Sequence, residues 1–130
     1  MRVYYQADAD LALIRGKRVA VIGYGAQGHA HALNLRDSGV EQLVVALHAG
    51  ARSAERAKAD GFAIVKVAEA AQASDVLMVC APDETQPELY AHEIAPYMSG
   101  GKTLLFAHGF AMHFKLIDPP PSVDVAMVAP

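Results

Sequence analysis

Three glycines, Gly23, Gly25 and Gly28, stand in G-x-G-x-x-G spacing within VAVIGYGAQGHAHALNLRDSG, Val19 to Gly39. That spacing has a mechanical meaning where a buried strand runs into a helix. Gly23 makes the tight turn, Gly25 lets a pyrophosphate approach the backbone, and Gly28 lets the helix pack closely on the strand. Amides of the first helical turn then face the phosphates at the positive end of the helix dipole. A bare glycine pattern is weak evidence. Here it follows four apolar residues and opens onto a helical pattern, the context that dinucleotide binding requires.

Which dinucleotide depends on the end of the second strand. Chains that bind NAD place an Asp or Glu there, about 20 residues beyond the glycines, to accept bonds from the ribose hydroxyls. This chain has ALHAGARSAER, and its first acid, Glu55, already lies inside the next helix. Arg52 and Ser53 sit where a 2′-phosphate would lie, with His48 nearby. A guanidinium and a hydroxyl at a helix start suit a phosphate. The plainer alternative is a solvated loop in which Ser53 is an ordinary N-cap. NADP is the favoured cofactor.

Ligands of such folds lie outside the carboxyl ends of the strands. The fourth strand delivers APDETQ there, so Asp83, Glu84, Thr85 and Gln86 form a loop and first helical turn beside the nicotinamide half. The fifth delivers AHGF, and His108 at its end can transfer a proton or polarise a carbonyl, or simply cap the strand by hydrogen bonds. His29 and His31 are two apart on a helix, point to different faces, and make a poor metal pair. Cys80 is expected to be a buried small hydrophobe.

These residues need a scaffold, and the sequence supplies one. Short β-branched runs at 17–23, 42–47, 63–67, 76–82, 102–109 and 123–130 alternate with helical patterns at 26–38, 53–61, 68–75 and 84–97, the last broken near Pro96. The alternation predicts an α/β fold, a doubly wound parallel sheet of the Rossmann type, in strand order 3-2-1-4-5-6. The 130 residues make one such domain, with 53% hydrophobic and 19% charged residues. A formal net charge of -3 and no basic cluster argue against a nucleic-acid partner. No apolar run approaches the roughly 18 residues of a membrane span. One cysteine and no targeting segment point to a cytoplasmic setting. The ending DVAMVAP, a strand and then a proline, suggests a piece of a longer protein.

The runs YYQADADLALIRGKRVAVIGYGAQGHAHALNLRDSG, PDETQPELY and FAHGFAMHF resemble the N-terminal domain of ketol-acid reductoisomerase. The likeness extends from Val3 to Pro130. It implies an acetohydroxyacid substrate such as 2-acetolactate, a magnesium-dependent alkyl migration, and reduction by NADPH to a 2,3-dihydroxy acid in valine and isoleucine biosynthesis. By the same resemblance Tyr24, Gly25, Ala26 and Gln27 form the phosphate loop, Asp83 to Gln86 the second cofactor loop, and His108 is the active-site histidine. The magnesium ligands and the main oligomer contacts belong to a helical C-terminal domain outside this chain, which alone is expected to bind cofactor without turnover. The family's second loop usually runs Leu-Arg-x-Gly-Ser-x-Ser. Here His48 replaces the arginine and Ala51 the first serine, Ser53 is kept and Arg52 is added. Either Arg52 supplies the cation or the preference for NADP is relaxed. A free-standing NADP(H)-binding or sensing module, and a different NADP reductase of the same domain plan, are the alternative readings.

Overall fold

The computed structural model describes residues 1–129. Val19–Ile22 and Val76–Val79 are apolar at every position and buried at every position, as central parallel strands covered on both faces must be. They are β1 and β4 of a sheet that also contains β2 (Leu43–Ala46), β3 (Ala63–Val65), β5 (Thr103–Phe106) and β6 (Asp124–Met127). All pairings are parallel, in the order β3-β2-β1-β4-β5-β6. The expected doubly wound order is the observed one.

Side chains alternate across the sheet and divide the core in two. Ala20, Ile22, Leu77, Val79, Leu104 and Phe106 pack against the helix α4 (Val67–Ala73) and the helical run that begins at Asp83. Val21, Val45 and Met78 pack on the other face with Ala32, Ala57 and Phe62. That face is covered by α2 (Ala26–Asp37) and α3 (Ala54–Ala59). Gly39 and Gly61 follow these two helices with φ of +95° and +91°, the left-handed conformation that ends a helix and that glycine adopts without strain.

The helix expected over 84–97 is a change of winding instead. A 3-10 turn at Asp83–Thr85 leads into α5 (Gln86–Leu89), a π-helical turn at Tyr90–Ile94 and a second 3-10 turn at Ala95–Tyr97. Pro96 has no amide to give the carbonyl four residues back, so regular α winding cannot continue through it. Two single-turn helices carry too few residues to show a period: α1 (Ala12–Arg15) and α6 (Phe110–His113). No described helix is long and apolar enough to cross a membrane.

At the amino end of the sheet, away from the candidate site, Arg18 joins β1 to β4. Its amide and guanidinium both donate to the Asp75 carboxylate, at 2.9 Å for the amide and 3.0 Å for Nη2. This bonding holds Asp75 down at about 2.

Candidate cofactor cleft

A cavity of about 1210 Å³ opens at the carboxyl ends of β1, β2, β4 and β5, where the chain switches from one side of the sheet to the other. Ile22, Ala46, Val79 and Ala107 form its apolar floor. Each of the three motif glycines has a distinct place in it. Gly23 has φ +95°, and a Cβ there would meet the backbone of Cys80 and Ala81 at 3.0 Å. Gly28 lies outside the cavity wall, packed so closely under the turn that only a glycine fits. Gly25 is exposed on the wall, with nothing within 4 Å of where a Cβ would stand. That open space over Gly25, beside the unpaired amides of the first turn of α2, is the cradle a pyrophosphate needs.

Ala26 and Gln27 continue this wall. Tyr24 is different. Its backbone borders the cleft, but its ring is buried and its hydroxyl donates to Asp60 Oδ2 at 2.6 Å. Burial, and then the bond to Asp60, push the phenol up to about 12, so it stays a neutral donor. Any contact of Tyr24 with phosphate is therefore through its main chain. Asp60 lies 36 residues away and carries no motif, so the pair is not legible from residue types and spacing.

The loop after β2 turns at His48, whose carbonyl accepts the Ala51 amide at 3.2 Å, and Gly50 takes φ +79°. His48, Arg52 and Ser53 all line the cleft. Ser53 is the N-cap residue of α3 and its carbonyl accepts the Ala57 amide at 3.0 Å, but its backbone is already helical, at φ -77° and ψ -6°, and its hydroxyl bonds no first-turn amide. An N-cap side chain needs the extended backbone that Ser53 lacks. Among the described residues neither the Ser53 hydroxyl nor the Arg52 guanidinium has a partner, and both remain open to an anion.

Asp83, Thr85 and Gln86 reach the cleft, whereas Glu84 is exposed outside it. The Thr85 hydroxyl donates to the Pro82 carbonyl at 2.9 Å, and the buried Gln86 amide donates to the Ala81 carbonyl at 2.8 Å. These two side chains hold the loop's shape. His108 follows β5, exposed and on the cleft wall. Glu88, His92 and Glu93 also face the cavity. Glu88 and His92 stand at i and i+4 of a helical run leaving the fourth strand, a spacing that could have placed them together. Cys80, just past the end of β4, is half-buried on the cleft wall rather than fully enclosed. Burial pushes its thiol up to about 11, so it is no thiolate nucleophile at neutral pH.

Residues 13–130 match the family model described as acetohydroxy acid isomeroreductase, NADPH-binding domain. The chain belongs to this family. An NADH-preferring ketol-acid reductoisomerase from an uncultured archean is similar over 100% of this chain, at 43% identity and a TM-score of 0.92. This chain spans 40% of that protein's length. A putative oxidoreductase from Jannaschia sp. (20% identity, 84% of this chain and 39% of the other, TM-score 0.70) shares the fold. So does a semialdehyde dehydrogenase NAD-binding protein from Cupriavidus necator, at 21% identity over 84% of this chain and 39% of the other, with a TM-score of 0.68. For an acetohydroxy acid isomeroreductase the residues present fit a dinucleotide: a glycine cradle, an open cation and an open hydroxyl along one cleft. They do not fit magnesium, because no three His, Cys, Asp or Glu side chains gather as ligands among the described residues.

Proposed function

We propose that the chain is the cofactor-binding domain of a longer ketol-acid reductoisomerase and that it binds NADPH. The observation that carries this reading is the shared cavity: Arg52 with Ser53, the Gly25 cradle, and His108 all line one cleft, as the adenosine, pyrophosphate and nicotinamide parts of a dinucleotide would require. The pyrophosphate lies over Gly25 and the first turn of α2. The adenosine 2′-phosphate lies between Arg52 and Ser53, where a guanidinium gives charge-assisted bonds. The nicotinamide half lies toward Asp83 and His108.

Bound NADPH would supply the hydride that reduces the rearranged acetohydroxyacid. The chain's own residues bind and orient it. The apolar floor excludes water from the nicotinamide side, and the loop held by Thr85 and Gln86 fixes the cleft's width. His108 stands where a substrate oxygen could exchange a proton. The metal-dependent alkyl migration is assigned to residues outside this chain, as is homo-oligomer assembly. A role in valine and isoleucine biosynthesis in the cytoplasm follows from this reading.

A calorimetric titration of the chain with NADPH and with NADH tests it. Binding of NADPH with NADH weaker is expected; binding of neither overturns the assignment. NADH binding as tight as NADPH keeps the domain and overturns the cofactor. The titration matters because the 43%-identical protein is NADH-preferring.

A further inference from the structure

Two loops must grip one dinucleotide at once: the glycine turn that opens α2 and the His48–Ser53 loop that opens α3. Behind the cleft, side chains join the two, and the Tyr24 hydroxyl is the one that comes from the glycine turn itself. Tyr24 stands between Gly23 and Gly25, and its hydroxyl reaches Asp60 Oδ2, at 2.6 Å, just past the last residue of α3.

The surroundings make this bond directional. The Tyr24 ring packs edge-on to Phe62 at 5.9 Å and to His29 of α2 at 5.4 Å. His29 Nε2 lies 3.6 Å from the same Asp60 oxygen, and Arg56 Nη2 lies 3.0 Å from His29 Nδ1. From the far end of α2, Arg36 donates to the Asp60 carbonyl and lies over the Phe62 ring at 4.6 Å. A phenylalanine would fill the Tyr24 site as well. A buried hydroxyl is costly unless it is bonded, and its bond fixes where α3 ends.

We propose that the Tyr24–Asp60 hydrogen bond is a positioning contact for the cofactor: through the short rod of α3 it holds Arg52 and Ser53 at a set distance from the pyrophosphate cradle. This rests on the dinucleotide reading above. Preorganising two subsites raises the affinity of a ligand that spans both and matters less to one that does not.

The test is a set of calorimetric titrations on wild type, Tyr24→Phe, Asp60→Ala, the double variant and Asp60→Asn, with thermal melts beside them. NADPH is one probe. The other is 5′-ADP, which carries a pyrophosphate but no 2′-phosphate. Tyr24→Phe and Asp60→Ala are expected to weaken NADPH by about tenfold each, the double variant no more than either, because they break one bond. Asp60→Asn, whose amide oxygen still accepts, keeps NADPH within about twofold. In Asp60→Ala, 5′-ADP weakens by less than about threefold. A merely structural bond lowers the melting temperature and leaves NADPH affinity at the wild-type value, which overturns the proposal. So do additive losses, or equal losses for both probes. If wild type binds neither NADPH nor NADH, the dinucleotide reading fails first and the positioning role fails with it.

Discussion

A Cβ at Gly28 would lie 2.2 Å from the carbonyl oxygen of Gly23. Both are motif glycines, yet the first is fixed by the fold and Gly25 between them is free of it. Gly28→Ala must drive α2 off the strand–helix turn, and a cost of about 3 kcal/mol or more is expected. Gly25→Ala meets nothing within 4 Å and has φ -75°, so its cost to stability is expected to be below about 1 kcal/mol. Its added methyl group stands in the cradle and should weaken NADPH by about tenfold or more. Denaturant melts and titrations of the two variants check this pair; a Gly25→Ala chain that binds normally removes the phosphate from the cradle.

The unpartnered Arg52 and Ser53 give a second contrast. Arg52→Ala should weaken NADPH by about tenfold and leave NADH within about twofold, since only the former offers a 2′-phosphate to a charged donor. Ser53→Ala should act in the same direction, by less. It should not destabilise α3, because the hydroxyl caps nothing. Equal effects on both nucleotides would show that this loop does not read the 2′-phosphate.

The contrast between Ser53 and Gly28 also shows how far the sequence speaks. The glycine spacing, the apolar runs and the helical intervals are local, and they sufficed for the strand order and for the cleft walls at Gly23 to Gln27, Arg52 and His108. Ser53 stands at the cap position of α3, as a serine before a helix commonly does. Whether its hydroxyl also caps depends on a backbone angle that residue type does not reveal. Tyr24 does line the cleft within the glycine loop, but the residues that take its ring and hydroxyl, Phe62 and Asp60, lie far along the chain and carry no local signal. The winding at Gln86–Tyr97 escaped for a related reason. Pro96 signals a break but not how the preceding turns widen to absorb it.

Asp75 makes stability depend on acidity at the end of the sheet far from the cleft. Its folded value of about 2 lies below the ordinary 3.8, chiefly through the side-chain and backbone bonds from Arg18. A lowered carboxyl contributes stability that is present above about pH 4 and is lost as pH falls toward 2. Asp75→Asn should therefore be less stable than wild type at pH 6, with the difference shrinking below pH 4. Arg18 is exposed and Asp75 partly so, so the difference should also shrink in 1 M salt. Melting curves from pH 6 to pH 2 check both; a constant gap across that range would remove the linkage.

His108 is exposed on the cleft wall with no hydrogen-bond partner among the described residues, so nothing in the fold depends on its imidazole. His108→Ala should keep stability within about 0.5 kcal/mol. It should also keep NADPH affinity within about twofold, since a residue placed for the substrate's oxygen contributes little to the nucleotide. The 130-residue chain itself should not turn over 2-acetolactate with magnesium and NADPH, because its described residues gather no metal ligands for the rearrangement. Turnover well above background would mean that the chain assembles a metal site unaided, and His108→Ala would then report at once whether the imidazole takes part. Loss of NADPH affinity in His108→Ala would move the histidine from the chemistry to the cofactor's own binding surface.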